Sequence, residues 1–188
     1  MLSCEIKLFR KFILSKQFAK YVKKLIPAAF FCTLAFLSCK KPIEYPIIPA
    51  IDFKSISIVN DANGKAGSVD VNMGMTDGDG DVGYHSVESG LNDAIFDDPN
   101  SIYYTNYKVK TYHLKNGTWD VDTIDLSARL EYLTPEGSNK AIKCEILRNL
   151  PVRPGLNRDT FYYEIFIYDR ALHQSNTIKT DKVVLTTQ

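Results

Sequence analysis

Phe161-Tyr162-Tyr163-Glu164-Ile165-Phe166-Ile167-Tyr168 is the segment of this chain with the strongest strand character. Aromatic and β-branched residues fill it almost completely, and both residue types favour pleated strands over helices. It ends at the polar sequence Asp169-Arg170-Ala171. The segment therefore predicts a β-strand near the end of the chain.

The same two-residue period recurs on both sides of this segment, which indicates further half-buried strands. Asn116-Gly117 separates two such runs and is typical of a tight hairpin turn. No segment of residues 39–188 shows a convincing 3.6-residue period. The predicted strands are Ile51–Val59, Val69–Met75, Tyr107–Leu114, Thr118–Asp122, Ile124–Leu130, Lys140–Ile146, Phe161–Tyr168 and Ile178–Leu185.

This pattern predicts an all-β fold, an antiparallel immunoglobulin-like β-sandwich of about seven strands. A closed barrel is the alternative, because periodicity does not reveal closure. Trp119 follows the hairpin turn and is interpreted as a packing or surface aromatic. The long aperiodic stretch from Tyr84 to Asn106 predicts a surface excursion with a short helical turn near Leu91–Phe96.

The N-terminus has the pattern of a targeting segment. Lys20-Tyr21-Val22-Lys23-Lys24 precedes the apolar run Leu25–Leu37, which is too short for a comfortable membrane span. Ser38-Cys39 then resembles the lipobox of bacterial lipoproteins, although Phe36 stands where Leu or Val is usual. The resemblance implies a signal peptide over 1–38 and a lipid on Cys39. An ordinary signal peptide or an uncleaved anchor is the alternative.

Residues 39–50 form the predicted tether, in which Pro42, Pro46 and Pro49 favour extended geometry. The predicted domain covers 51–188. Seven of the 23 Lys and Arg lie in 1–38 with one of the 22 acidic residues, which leaves 39–188 with a net charge of −5. A net-acidic body without a basic stripe argues against nucleic acid as a partner.

Cys144 is the one cysteine beyond Cys39, so no disulfide is expected within residues 40–188. It lies in an alternating strand and is interpreted as a buried core thiol.

Thr76-Asp77-Gly78-Asp79-Gly80-Asp81-Val82-Gly83 follows the second predicted strand and carries three carboxylates on alternate positions. Such charges repel one another unless a cation lies between them, and hard oxygen ligands favour Ca²⁺ over zinc or copper. Glu88 falls at the twelfth position of an EF-hand-type loop, but Val82 replaces the sixth-position glycine. The sequence predicts a calcium loop between strands, with a solvated acidic turn as the alternative.

Asp169 is the predicted fourth ligand of this calcium site. In an immunoglobulin-like sandwich, the loop after the second strand and the last hairpin loop share one end. Asp169 ends the penultimate predicted strand and should therefore lie near Asp77, Asp79 and Asp81. If it is not a ligand, pairing with Arg170 is the alternative.

The acidic loop, together with Ile167-Tyr168-Asp169-Arg170-Ala171 and Ser175-Asn176-Thr177, resembles a group of uncharacterised lipoproteins from Bacteroidota. In that group, Asp-Gly-Asp-Gly-Asp-Ile-Gly and Asp-Arg-Ala-Gly-Asn segments bracket an immunoglobulin-like domain. This chain departs from the pattern at Val82 and at Leu172-His173. The resemblance implies a cell-envelope, outer-membrane location and a fold, without an activity.

No nucleophile motif, phosphate loop or nucleotide fingerprint is present, and the three histidines are too scattered for a zinc motif. The sequence therefore favours a membrane-tethered, non-catalytic binding or structural module, with an unidentified protein or glycan partner. A small cell-envelope hydrolase or polysaccharide-processing component is the alternative, since paired carboxylates need not be close in sequence.

Overall fold

The computed structural model describes residues 44–85, 94–152 and 159–185. The signal segment 1–38, the proposed lipid site Cys39 and Glu88 lie outside the described residues. Every described strand belongs to one compact unit, Glu44–Gln188. That unit begins before residue 51, so the last residues of the predicted tether pack as part of the domain. Within the described ranges, no helix has the length and hydropathy needed to span a membrane.

The described part of the chain contains strands and one short helix. In chain order they are β1 Ala50–Asn60, β2 Ala66–Asp77, α1 Ala94–Asp97, β3 Tyr107–Lys115, β4 Thr118–Val121, β5 Ile142–Pro151, β6 Asp159–Ile167, β7 Ile178–Lys179 and β8 Val183–Leu185.

The strands form two antiparallel sheets. One has three strands in the order β1-β2-β5, and the other has the order β4-β3-β6-β7, with β8 also paired to β6. The antiparallel β-sandwich predicted from the sequence is confirmed, and α1 supplies a helical turn within the predicted excursion.

The last edge strand of the five-stranded sheet is interrupted by a bulge. Phe161 pairs with Val183, whereas Glu164 pairs with Lys179, so two residues of β6 face three residues of the edge. Thr180 keeps this gap bonded, because its Oγ1 accepts from the Tyr163 N–H (3.0 Å) and its own N–H donates to the Tyr163 carbonyl (2.9 Å). Thus β7 and β8 are two pieces of one edge, so the described strands occupy seven positions in the sandwich.

The hydrophobic core lies between the inward faces of the two sheets. In β2 the alternate residues Val69, Val71, Met73 and Met75 are buried, as the two-residue period requires. The facing side of β6 buries Phe161, Tyr163, Ile165 and Ile167. Removing these faces from water supplies the main free energy that holds the sheets together.

The sequence predicts that Cys144 is a buried core thiol and that Trp119 is a packing or surface aromatic. Cys144 is half-buried against the core, and this burial raises the pKa of its thiol. Trp119 is half-buried on β4 and meets the Tyr162 ring edge-on, with centroids 4.7 Å apart. Both therefore pack as predicted, with Cys144 less buried than expected.

The predicted hairpin turn is present between β3 and β4. Asn116 and Gly117 have φ values of 51° and 84°, which is the left-handed pair that a two-residue hairpin of this kind requires.

The predicted strand Ile124–Leu130 is wrong. This segment has no regular ladder, and Ala128 makes an isolated bridge to Tyr107. The Asp122 carboxylate accepts from the Ile124 N–H (3.1 Å), and the Asp125 carboxylate accepts from the Ser127 N–H (2.8 Å). These local bonds turn the backbone and take two amides away from any strand partner.

Candidate metal centre

The acidic loop occupies the end of β2, where the chain leaves the three-stranded sheet. Asp77 is the last residue of β2 and is fully buried, Asp81 is half-buried, and Asp79 is exposed. One carboxylate oxygen from each of the three lies within 4.8 Å of the others. The structure therefore brings together three of the four predicted ligands around one point.

Two oxygens of this group are buried without a hydrogen-bond donor. Asp77 Oδ2 accepts from the Asp81 N–H (2.9 Å), and Asp81 Oδ2 accepts from the Ala171 N–H (3.0 Å). Within the described residues, Asp77 Oδ1 and Asp81 Oδ1 are buried and accept no hydrogen bond. Buried carboxylate oxygens are costly unless they are paired, hydrogen-bonded or bound to a metal.

The electrostatics of the loop also favour a bound positive charge. Burial, followed by the charges of Asp79 and Asp81, raises the pKa of Asp77 to about 7. Burial and the charge of Asp169 raise the pKa of Asp81. A proton or a cation would relieve the repulsion, and a divalent cation would relieve it at all three carboxylates together.

Gly80 allows the loop to pass close under the segment that precedes β5. Its φ is +66°, and a Cβ placed on it would lie 1.8 Å from the Lys140 carbonyl oxygen. The Thr134 hydroxyl donates to the Gly80 carbonyl. The glycine thus meets a conformational and a steric requirement, and Thr134 and Lys140 contact the acidic loop at this residue.

Asp169 lies beside the acidic loop, as the shared end of the sandwich predicted. Val82 and Asp169 form an antiparallel bridge, and the Arg170 N–H donates to the Asp81 carbonyl (3.1 Å). The last hairpin loop is therefore bonded directly to the loop after β2.

The carboxylate of Asp169 is bonded by His173. The His173 N–H donates to Oδ1 (2.7 Å), and the His173 ring Nδ1 lies 2.9 Å from Oδ2. Pairing with Arg170 is wrong, because that guanidinium donates to the Gly83 carbonyl (2.9 Å) and to Thr134 Oγ1 (2.8 Å). Asp169 is fully buried and outside the group of converging oxygens, so its contribution to the described site is negative charge.

The converging atoms of the site are carboxylate oxygens, which suit hard cations such as Ca²⁺ and Mg²⁺. The contacts of Thr134 and Lys140 with Gly80, and of His173 with Asp169, are not predicted from the sequence, because no local pattern marks them. No protein-family model matches the chain, and no match was found among curated proteins or solved structures. The arrangement of the three carboxylates is therefore the main indication of what this site binds.

Proposed function

We propose that this chain is a cell-envelope lipoprotein that carries a non-catalytic binding or structural β-sandwich module stabilised by calcium. The observation that supports the ion is the pair of buried, unbonded oxygens on Asp77 and Asp81 beside the exposed carboxylate of Asp79. In a solvated acidic turn, these two carboxylate oxygens would be in contact with water. In this fold they are buried.

Calcium fits the donor set better than magnesium. Ca²⁺ accepts six to eight oxygens in irregular arrangements, whereas Mg²⁺ requires near-octahedral geometry and gives up its water reluctantly. The exposed Asp79 leaves one side of the group open to water ligands. The nearby charge of Asp169 adds long-range attraction for a divalent cation.

Calcium titration of residues 40–188 after EDTA treatment tests the ion site. This segment contains the whole compact unit. We expect saturable heat of binding, with a Kd of about 10⁻⁵ to 10⁻³ M, the range that spans calcium sensors to weak extracellular modules. We expect Asp79→Asn to weaken binding by at least about tenfold, since it removes one charged ligand from an exposed position.

Asp120→Asn is the matched control for that variant. Asp120 is also exposed, but it pairs with His113 across the β3–β4 hairpin, at the opposite end of β3 from Tyr107. Tyr107 pairs with Ile167, the last residue of β6, which lies two residues before Asp169. The control should bind calcium like the wild type. Absence of wild-type binding up to about 10 mM calcium, well above the weak extracellular range, would exclude the ion site.

The proposed lipid anchor is tested by a separate substitution. In a bacterial host that labels lipoproteins with fatty acid, we expect the wild-type chain to be labelled and to sediment with outer membranes. Cys39→Ala should lose the label and the sedimentation, because the acylated thiol is gone. Cys32→Ala, within the predicted signal segment, is the control and should behave like the wild type. Labelling of Cys39→Ala would contradict the assignment.

A further inference from the structure

The end of the predicted tether lies directly against the acidic loop. The Gly78 N–H donates to the Pro46 carbonyl at 2.8 Å. A Cβ placed on Gly78 would lie 2.3 Å from the Tyr45 carbonyl oxygen and 2.8 Å from that of Pro46. The φ of Gly78 is outside the left-handed region, so the steric contact alone calls for glycine here. The first glycine of the loop therefore serves as the contact surface for the tether.

The chain is also held where it enters β1. Pro49 is buried, and Ala50 pairs with Thr76 immediately before the acidic loop. Asn176 holds the next residue, since its side chain accepts from the Ile51 N–H and donates to the Ile51 carbonyl, both at 2.8 Å. Residues 44–49 lie on the N-terminal side of this attachment. Among the described residues, the backbone hydrogen bond that holds them to the domain is the one between Gly78 and Pro46.

We propose that calcium bound by Asp77, Asp79 and Asp81 fixes residues 44–49 against the domain. The ion would then control the order of the segment that connects the domain to its proposed lipid anchor. This inference rests on the calcium site proposed above. Gly78 lies between two of the three ligands, so its amide position depends on where their carboxylates lie. Without the ion, repulsion among three carboxylates spreads the loop and displaces this amide from the Pro46 carbonyl. With the ion, the loop and its tether contact are held together.

Hydrogen exchange measured by NMR on residues 40–188 tests the coupling. Calcium should slow exchange by at least about tenfold at the amide of Gly78, which donates to the Pro46 carbonyl, because opening of this bond becomes coupled to release of the ion. Calcium affinity is measured by titration on the same sample. Calcium binding with unchanged exchange at this amide would overturn the coupling and leave the ion site standing. Absence of calcium binding would overturn both.

Gly78→Ala separates the tether contact from general effects of mutation. Its Cβ would displace the Tyr45 and Pro46 carbonyls, so the calcium-dependent slowing at the amide of residue 78 should be lost. Gly67→Ala is the matched control, since its Cβ would meet Asp61 Cβ at an ordinary 3.5 Å, and it should retain the slowing. Retained slowing in Gly78→Ala would overturn the proposal. If that variant does not fold, the wild-type comparison with and without calcium decides the question.

Discussion

Asp77→Asn is expected to stabilise the calcium-free domain and to abolish the stabilisation that calcium provides. In EDTA at pH 8, Asp77 is a buried carboxylate beside Asp79 and Asp81. The amide has nearly the same shape, its carbonyl oxygen can still accept from the Asp81 N–H, and it carries no charge. We expect a gain of about 1–3 kcal/mol in the free energy of unfolding, which is the usual cost of a buried polar group that is left without a partner.

The pH dependence of the wild-type domain gives the sign of this effect. The pKa of Asp77 is about 7 in the folded domain, against an ordinary value of 3.8 for an aspartic acid side chain. Between about pH 4 and pH 7, the carboxyl group of Asp77 is therefore protonated in the folded state and ionised in the unfolded state. Because the folded state binds this extra proton, the stability of the calcium-free domain falls as pH rises from about 4 to above 7. The gain from Asp77→Asn should shrink at pH 5, where the carboxyl group is protonated in the folded domain.

Urea unfolding in EDTA at pH 5 and pH 8, and again with calcium, measures both effects. Asp120→Asn is the control, because it removes an exposed carboxylate far from the loop. Loss of stability in calcium-free Asp77→Asn at pH 8 would contradict the description of the loop as a cluster of repelling charges. Calcium stabilisation of the variant equal to that of the wild type would remove Asp77 from the ligand set.

Gly80→Ala is expected to destabilise the domain strongly. The new Cβ would lie 1.8 Å from the Lys140 carbonyl oxygen, a backbone atom that a side-chain rotation cannot relieve, and φ is +66°. We expect a loss of about 3 kcal/mol or more in the free energy of unfolding, since left-handed strain and a forced backbone shift add together.

Denaturant unfolding in saturating calcium and in EDTA measures this loss, with Gly67→Ala as the control. Gly67 lies in β2, and its added Cβ would make ordinary contacts. The control should change the free energy of unfolding by less than about 1 kcal/mol. A Gly80→Ala variant as stable as this control would show that the Lys140 carbonyl does not lie against Gly80 as described.

The regular part of the fold was predictable because its signals are local. In β2 and β6 every second side chain enters the core, so the period of two residues is visible without knowledge of the partner strands. Asn116-Gly117 marked its hairpin because these residues tolerate positive φ. The position of Asp169 beside the acidic loop followed from topology, since consecutive antiparallel strands place alternate loops at the same end.

The surroundings of the candidate site were not predictable, because they come from irregular segments distant in sequence. Lys140 reaches Gly80 with its backbone, which leaves no signature in residue type. His173 meets Asp169 through a turn whose shape depends on the bridge to Val82. The segment Ile124–Leu130 showed alternation and still failed to form a strand, because nearby aspartates compete for its amides.

The bulge at Thr180 has a consequence for self-association. A free strand edge invites pairing with another copy, and natural sheets protect their edges with bulges, short strands, charges or proline. The edge formed by β7 and β8 is broken after two residues, and the opposite edge, β4, has only four. In the other sheet, a bulge interrupts β1 near Lys54, and β5 carries charged residues and ends at Pro151. Each described edge is therefore a poor template for pairing with a second copy of the chain.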